Sequence, residues 1–325
     1  MVRQVALIDL YPNPWLLGAG VVLDLLFGDP HYPAHPVRLI GGSLARIEAA
    51  LRKLGMDGYA GGILLFLLLA LLWVAGLSAL LVMLSKPVST VLQVFLIYSL
   101  IALRDLLRHG WEVEHAAMHN DLPGARIAIS KLVGRDTSSM DIAACRRAAI
   151  ESLSENLTDG FVSPVFWYAA CGLPGMLLFK VVSTMDSMVG YKTARYLRFG
   201  WCGARTDDVM NWIPARLTWL MLTVSAMLIP GCSARKSLVV GWRQHAIVPG
   251  PNSGWSEAAA AGAIQRRLVG PIWANGRIVT EVWLGDPGDP EGGLAGDFRR
   301  SATLITVAAL GAAAIAITLL VRAYS

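Results

Sequence analysis

Residues 58–85, GYAGGILLFLLLALLWVAGLSALLVMLS, form an uncharged run that decides the fold class. A helix of about 20 apolar residues crosses the hydrocarbon core of a bilayer, so this run is long enough to span it with some tilt. Further uncharged runs occupy residues 87–103, 160–179, 217–233 and 301–321. The chain is 55% hydrophobic and only 16% charged, whereas soluble domains carry about 25% charged residues. We therefore expect an integral membrane protein.

The polar segments between these runs carry helix signals. Apolar and charged residues alternate at helical spacing over residues 103–120. Asp121, with Pro123 just inside, is placed to start the next helix, and residues 136–139, DTSS, are placed to start another. We expect an all-α integral membrane protein, in one membrane domain over residues 1–325, with about four to six membrane segments plus a helical cytoplasmic part.

The distribution of charge and proline indicates the topology. Lys and Arg are concentrated in the polar segments, and short loops rich in them stay on the cytoplasmic side. Residues 104–159 and 234–300 are therefore expected to be cytoplasmic. The run 160–179 contains Pro164 and Pro174, which break helices. Some membrane segments are therefore expected to be re-entrant or broken, with their irregular backbone lining a cavity.

The segment 151–160, ESLSENLTDG, concentrates acids and amides just before an apolar run. Glu151, Glu155 and Asp159 are spaced by four, so they share one stripe of a helix. Three carboxylates beside a membrane are costly unless a cation neutralises them, and Mg²⁺ is a suitable cation. The alternative is a solvated surface ladder in which Arg147 pairs with Glu151.

Further polar clusters lie beside the apolar runs. They contain Asp29, His35, Arg38, Asp186, Lys192, Arg205, Asp207, Asp208, Asn211, Arg216, Asn252 and Glu257. Adjacent acids flanked by arginines suit a metal–phosphate site, because carboxylates hold Mg²⁺ and guanidiniums hold phosphate oxygens. The alternatives are juxtamembrane loops whose arginines serve topology, and a plain helix cap at residues 253–256.

Two classes of site are not indicated. The four cysteines lie about thirty residues apart without a CxxC pair, so neither a thiolate zinc site nor a redox pair is expected. The net charge of +5 is modest, and no basic block is interleaved with aromatic residues. Nucleic acid is therefore not an expected partner.

Seven motifs, in this order, make the chain resemble the CbiB/CobD family, the membrane-bound adenosylcobinamide-phosphate synthases of cobalamin biosynthesis. They are DLLFGDP (24–30), HPVR (35–38), VGRDT (133–137), ESLSEN with DG (151–160), MDSMVGYK (185–192), AR with DD, Asn211 and PAR (204–216), and PNSG with Glu257 (251–257). The chain departs from the family pattern after Ala263. We expect the Gly- and Asp-rich stretch 285–297 to be a flexible linker, with a substrate-side loop as the alternative.

The resemblance implies a reaction. The family condenses the free propionate carboxylate of adenosylcobyric acid with (R)-1-aminopropan-2-ol or its O-phosphate, driven by ATP. An acyl phosphate is the natural activated form, with Mg²⁺ polarising the transferred phosphoryl group. The expected partners are these substrates, ATP, Mg²⁺, the lipid bilayer and other membrane enzymes of the pathway. The expected location is the bacterial inner membrane, multi-pass, with the active site facing the cytoplasm.

Roles within the motifs are assigned from side-chain chemistry. The expected catalytic residues are Glu151, Glu155, Asn156, Asp159 and Asp186. The expected substrate- and phosphate-binding residues are Asp29, His35, Arg38, Arg135, Lys192, Arg205, Arg216, Asn252 and Glu257. The expected metal ligands are Glu155, Asp159, Asp207 and Asp208. The alternative functions are a membrane transporter, since buried acids in membrane helices often mark ion pathways, and an AmpE-like membrane regulator.

Overall fold

The computed structural model describes residues 10–29, 32–274 and 277–324, and most of them are helical. The first helices are α1 (Pro14–Phe27), α2 (Pro36–Lys53), α3 (Tyr59–Leu69), α4 (Leu77–Met83), α5 (Lys86–Leu100), α6 (Leu103–Met118) and α7 (Leu122–Ile129). They are followed by α8 (Ile142–Leu157), α9 (Ser163–Val189), α10 (Trp201–Met210), α11 (Trp212–Ser225), α12 (Ala234–Gln244), α13 (Ser253–Ile264), strands β1 (Leu268–Ala274) and β2 (Arg277–Leu284), and α14 (Ala295–Tyr324). Wider π-helical turns occupy Ala70–Gly76 and Thr158–Val162.

Four helical stretches among the described residues are long and apolar enough to cross a membrane. They are Tyr59–Met83, Lys86–Met118, Ile142–Val189 and Ala295–Ala323. The expectation of an all-α membrane protein is thus confirmed. The apolar run 217–233 does not join these four, because α11 ends at Ser225 and the chain then turns. At 14 residues, α11 is shorter than a membrane span requires.

The broken helix expected in the run 160–179 is present. Within α9, Gly172 has φ 66° and ψ −162°, which is not helical, and Pro174 follows two residues later. A Cβ atom at residue 172 would lie 2.1 Å from the carbonyl oxygen of Leu10. Glycine is therefore required there both by the positive φ and by the close backbone approach.

The chain divides into two compact units. The first unit comprises Met1–Ala102, Ser163–Asn211 and Ala313–Ser325, and the second comprises Leu103–Val162 and Trp212–Ala312. The prediction of one domain over residues 1–325 stays a prediction.

The core of the first unit is formed where α2 packs on α9. The apolar face of α2 contributes Ile40 and Leu44, and α9 contributes Val181 and Met185. Phe199, in the segment before α10, completes this cluster and is fully buried. The guanidinium of Arg52 lies 4.4 Å from the Phe199 ring centroid, so the end of α2 is held to the same core.

The second unit is built around α13, which is buried along its length from Gly254 to Ile264. Its alanines leave room for neighbouring backbones. A Cβ atom at Gly262 would lie only 2.4 Å from the carbonyl oxygen of Lys236, so α12 and α13 approach closely at this glycine. The small-residue sequence of α13 therefore has a packing reason.

Helix starts in the second unit are set by aspartates. Asp121 caps α7 as expected, its side chain accepting from the Gly124 amide at 2.9 Å. The start expected at residues 136–139 for the next helix is wrong by several residues. Helix α8 begins at Ile142, and Asp141 caps it by accepting from the Ala144 amide at 2.7 Å.

Strands β1 (Leu268–Ala274) and β2 (Arg277–Leu284) pair as a β-hairpin that was not predicted from the sequence. The two strands are antiparallel, with Leu268 opposite Leu284 and a register shift between Ile272 and Trp273. The available signal was the Asn275-Gly276 dipeptide followed by β-branched residues, a pattern typical of hairpins. The hairpin is a local addition to an otherwise helical protein.

The stretch 285–297 is a packed loop, so the expectation of a flexible linker is wrong. Lys236 Nζ lies 2.5 Å from Asp289 Oδ1, and Arg266 Nε donates to Asp297 Oδ1 at 2.9 Å. The Arg267 amide donates to the Pro290 carbonyl oxygen at 2.9 Å. Asp289 and Asp297 are buried, and buried, paired charges hold a loop in one conformation.

Candidate active site

The second unit contains a cluster of three carboxylates, Glu151, Glu155 and Glu257, together with Arg135; we call it the carboxylate cluster. Helix α8 supplies the first two, four residues apart, and α13 supplies Glu257. Arg135 comes from the loop before α8. It donates from Nη1 to Glu151 Oε1 at 3.2 Å and from Nη2 to Oε2 at 2.6 Å. This two-point contact is the strong form of an Arg–carboxylate pair.

The alternative pairing of Glu151 with Arg147 is wrong. Arg147 is buried and donates from Nη1 to the Gly292 carbonyl oxygen at 3.1 Å. Its guanidinium also lies 5.4 Å from the Trp283 ring centroid, so it fastens the hairpin and the following loop to α8. The side chains of Glu151 and Arg135 are 16% and 15% exposed, so Glu151 is not part of a solvated surface ladder. Glu155, one turn further along α8, is exposed.

Glu257 is the most buried acid of the carboxylate cluster, at 4% exposed. Its pKa is raised well above the ordinary value of 4.5, first by burial and then by the charges of Glu151 and Glu155, while Arg135 opposes the shift. A carboxyl group with a raised pKa exchanges protons closer to neutral pH than an ordinary one. The cluster therefore contains a group suited to proton transfer.

Asn156 and Asp159 continue the same helical stripe. The Asn156 side-chain nitrogen donates to the Ser152 carbonyl oxygen at 2.9 Å and to its hydroxyl oxygen at 3.2 Å, so the amide is oriented by its own helix. Asp159 lies in the π-helical turn Thr158–Val162. Such turns re-aim side chains and are frequent at functional sites.

The remaining second-unit residues, Asn252 and Arg216, flank α13. Asn252 precedes the first residue of α13, and the helix has no side-chain cap there. Ser256 Oγ donates to the Ser253 carbonyl oxygen instead of capping, so the plain-cap alternative is not met. Arg216 lies over the Trp212 ring, 4.1 Å from its centroid, and over the Trp255 ring at 4.8 Å.

The first unit contains the other expected site residues in two places. Around the start of α2, His35 Nε2 lies 2.9 Å from Asp29 Oδ1, with His35 buried and Arg38 exposed one turn on. This pair ties the loop that carries Asp29 to α2. Pro30, the last residue of the motif that contains Asp29, lies outside the described residues.

The second place in the first unit joins the end of α9 to α10. Gly203 of α10 packs against Met185, where an added Cβ atom would lie 3.0 Å from the Met185 Cβ, and Arg205 Nη1 lies 3.2 Å from Asp208 Oδ2. Asp207 accepts from the Asn211 side-chain nitrogen at 3.0 Å, and Asn211 in turn accepts from the Ser163 hydroxyl at 2.5 Å. Lys192 is exposed beyond the end of α9.

The expected metal ligands fall in different units. Glu155 and Asp159 belong to the second unit, and Asp207 and Asp208 to the first. Within residues 10–29, 32–274 and 277–324, no three His, Cys, Asp or Glu side chains form a ready-made metal group. The four-carboxylate metal set stays a prediction.

An aromatic cluster in the second unit was not predicted from the sequence. Trp255 stacks on His245, with centroids 3.9 Å apart and planes at 16°, and contacts Trp219 and Trp242 at 4.9 and 5.9 Å. The signal was a set of tryptophans at residues 212, 219, 242 and 255 beside polar segments. Their convergence depends on the packing of α11, α12 and α13, which the sequence pattern did not define.

Comparison with known proteins gives a consistent family. A family model described as CobD/Cbib protein matches residues 17–320. The chain is 38% identical over 283 residues to Cobalamin biosynthesis protein CobD of Sinorhizobium sp, covering 84% of this chain and 88% of the relative. It is 40% identical over 280 residues to the CobD protein of Pelobacter propionicus (85% and 86%), and 38% over 293 residues to Cobalamin biosynthesis protein CbiB of Salmonella typhi (88% and 91%). No solved structure matches the chain.

Proposed function

This chain belongs to the CobD/CbiB family of cobalamin biosynthesis proteins, and from that premise we propose that it is an ATP-dependent amide ligase. It joins the free propionate carboxylate of adenosylcobyric acid to (R)-1-aminopropan-2-ol O-phosphate, or to aminopropanol itself. The product is adenosylcobinamide phosphate or adenosylcobinamide. The relatives' names support the place in cobalamin biosynthesis, and the chemistry below is argued from the residues of this chain.

The observation that carries the proposal is the buried Glu257 within the carboxylate cluster. The amine substrate arrives as an ammonium ion at neutral pH and must lose a proton before its nitrogen can attack a carbonyl carbon. A carboxylate whose pKa is raised above its ordinary value is a stronger base than an ordinary one. Although the sequence assigned Glu257 to substrate binding, its surroundings favour the role of general base.

The reaction proceeds in two balanced steps. First, a carboxylate oxygen of the corrinoid attacks the terminal phosphorus of ATP, so a C–O–P linkage forms and ADP leaves. Second, the amine nitrogen attacks the acyl carbon, the C–N bond forms, the C–O bond breaks and inorganic phosphate leaves. The ammonium nitrogen gives one proton to Glu257 before it attacks, and it gives the second to the leaving phosphate as the C–N bond forms. Each step depends on positioning and on charge stabilisation more than on covalent participation by the protein.

Arginine and acidic residues have separable roles in this scheme. Arg135 donates two hydrogen bonds to Glu151 and so offsets part of the negative charge of the carboxylate cluster. This reduces the repulsion between Glu151 and the other two carboxylates. We assign phosphate binding in the second unit to Arg216, and Lys192 and Arg205 of the first unit stay predicted phosphate-binding residues. Oxygen donors spaced by four, Glu155 and Asp159, fit Mg²⁺, which binds proteins through one or two carboxylates and completes its shell with water and substrate phosphates. When bound, the ion would neutralise phosphate charge.

The bacterial inner membrane and a cytoplasmic active site are part of the proposal. The four candidate spans support a multi-pass membrane protein. ATP is available on the cytoplasmic side, and the basic polar segments favour that side as well.

A coupling assay tests the proposal. Purified full-length protein in detergent is supplied with adenosylcobyric acid, the phosphorylated amine, ATP and Mg²⁺, and the corrinoid and the nucleotide are followed by mass spectrometry. The expected result is a corrinoid heavier by the condensed amine, with stoichiometric ADP and phosphate. Glu257→Gln should reduce the rate at least about 100-fold, the lower range for general acid–base catalysis. Glu281→Gln, at an exposed hairpin carboxylate, is the matched control and should retain full rate.

Two different results would contradict two different parts of the proposal. An unchanged corrinoid with folded protein would favour the transporter or the AmpE-like regulator. Full activity in Glu257→Gln would remove the assigned base while leaving the ligase.

A further inference from the structure

The aromatic cluster around Trp255 encloses a cation. Arg216, half-buried on α11, lies between the rings of Trp212 and Trp255, at 4.1 and 4.8 Å from their centroids. Its Nη1 donates to the Trp212 carbonyl oxygen at 2.6 Å. Stacking on two indoles fixes the plane of the guanidinium and stabilises its charge. The fork of N–H groups is therefore held in one orientation.

This fixed cation has no carboxylate partner in the part of the chain that the structure describes. Three buried or half-buried arginines of the second unit are paired with carboxylates, Arg135 with Glu151, Arg146 with Glu114 and Arg266 with Asp297. Arg126 and Arg300 donate instead to the carbonyl oxygens of Met140 and Ile264. A partly desolvated guanidinium without an anion is costly, since its remaining donors lose hydration without gaining acceptors. The remaining N–H groups of Arg216, held between two indole rings, are therefore suited to an anionic ligand.

Trp255 supplies a second donor without an acceptor. It is 4% exposed, and its indole nitrogen Nε1 is buried with no hydrogen-bond partner among the described residues. Buried indole N–H groups normally find a partner. Trp219 Nε1 also lacks one, but there the edge of the ring lies against Gly241, where a Cβ atom would be 2.5 Å away, so the backbone covers it.

The arrangement of the two donors selects the ligand. The guanidinium carbon lies over the Trp255 ring, so its N–H groups and the indole N–H are at different heights above the ring plane. A carboxylate has two coplanar oxygens and suits donors in one plane. A phosphate has oxygens directed tetrahedrally, and it can accept from both donors within ordinary hydrogen-bond lengths of about 2.9 Å.

We propose that Arg216 and Trp255 form a binding site for a phosphate group of a substrate, with Trp255 Nε1 as a specificity-determining donor. The proposal rests on the ligase function proposed above, since ATP carries phosphate and so does the amine when it is supplied as its O-phosphate. The group is either the phosphomonoester of the amino alcohol or a phosphate of the nucleotide. His245, stacked on the other side of the cluster, holds the Trp255 ring in place.

Binding measured without turnover tests the site. The full-length protein, in detergent free of phospholipid, is titrated calorimetrically with inorganic phosphate, (R)-1-aminopropan-2-ol O-phosphate, aminopropanol and ATP. Trp255→Phe keeps the stacked ring and removes only the N–H. We expect it to weaken binding of phosphate-bearing probes about tenfold, the loss of one hydrogen bond to a charged acceptor. Arg216→Gln should weaken it further, while Trp242→Phe, at an exposed tryptophan of the same cluster, should leave it unchanged.

Kinetics then identify the source of the phosphate. If the site takes the amine's phosphate, Trp255→Phe raises the KM for the phosphorylated amine and leaves those for aminopropanol and ATP unchanged. If it takes a nucleotide phosphate, the KM for ATP rises instead. Either result supports the site. Unaltered affinity for every phosphate probe in both Trp255→Phe and Arg216→Gln would overturn it.

Two further results separate this site from the proposed function and from lipid. Loss of phosphate binding in the variants, with no coupling activity in the wild-type protein, would retain the site and refute the ligase. If the wild-type protein binds no phosphate probe in detergent, and the variants differ from it only in losing co-purified anionic phospholipid, the donors bind a lipid headgroup. That result would overturn the proposal.

Discussion

At the scale of single residues, the buried Glu257 makes the stability of the protein depend on pH. Its pKa in the folded protein lies above its ordinary value of 4.5, so the folded state binds more protons than the unfolded state between those two values. Stability therefore falls as pH rises from about 4.5 through the folded pKa. The midpoint of thermal unfolding in detergent should be higher at pH 5 than at pH 8. This difference should be larger in the wild-type protein than in Glu257→Gln. An equal pH dependence in both proteins would contradict the assigned shift.

The Arg135–Glu151 pair is also a residue-scale feature. Both side chains are mostly buried, so removing Arg135 leaves an uncompensated carboxylate, at a cost of about 3 kcal/mol. We expect Arg135→Gln to lower the free energy of unfolding by about that amount. The double variant with Glu151→Gln should recover much of the loss, since no charge then remains unpaired. Additive losses in the chemical denaturation series would refute the pairing.

Sequence reasoning at this scale identified most of the polar residues but not their partners. The spacing of Glu151, Glu155 and Asp159 follows from helical geometry alone, so their common stripe was predictable. The choice of Arg135 over Arg147 as partner of Glu151 depends on how the loop before α8 folds back. Arg147 instead contacts the Gly292 carbonyl oxygen and the Trp283 ring, which lie in the hairpin and the loop after it, more than 100 residues away in sequence.

At the scale of elements, the close approach of α12 and α13 depends on Gly262. A methyl group there would meet the Lys236 carbonyl oxygen at 2.4 Å, and neither backbone can yield easily. Gly262→Ala should destabilise the protein by about 1–3 kcal/mol, as overpacking of a core does. Gly311→Ala is the matched control on α14, where nothing lies within 4 Å of an added Cβ. It should be neutral or stabilising, because alanine favours helix.

If Gly262→Ala unfolds at the wild-type denaturant concentration, the contact between these helices is not tight.

Some features of these elements were predictable from the sequence and others were not. Helices and caps followed from local signals, as at Asp121, but the start of α8 was displaced to Asp141 because two capping candidates lay close together. The hairpin β1–β2 was missed because β1 contains Gly270 and Pro271, two residues that weaken the sequence pattern of a strand.

At the scale of the whole molecule, the account predicts the side of the membrane on which the polar segments lie. In a background with the four native cysteines replaced by alanine, a cysteine placed at the exposed Ile127 of α7 should react with a membrane-impermeant maleimide in inside-out vesicles. It should not react in intact spheroplasts. The reverse labelling pattern would place residues 104–159 outside the cytoplasm.

The membrane character of the molecule was predictable because apolar run length alone decides it. The distribution of site residues over two units was not, because α9 and α10 return to the first unit after α8 has contributed to the second. Ordered motifs along the chain indicate which residues belong to a function. They do not indicate which of them meet.

The central claim is that this chain activates a carboxylate as an acyl phosphate and passes it to an amine. The most direct measurement uses adenosylcobyric acid labelled with ¹⁸O in its free carboxylate, with mass spectrometry of the released phosphate and nucleotide. The account predicts ¹⁸O in the inorganic phosphate, together with ADP, whenever amide forms. Amide formation with ¹⁸O in AMP, or with unlabelled phosphate, would contradict it.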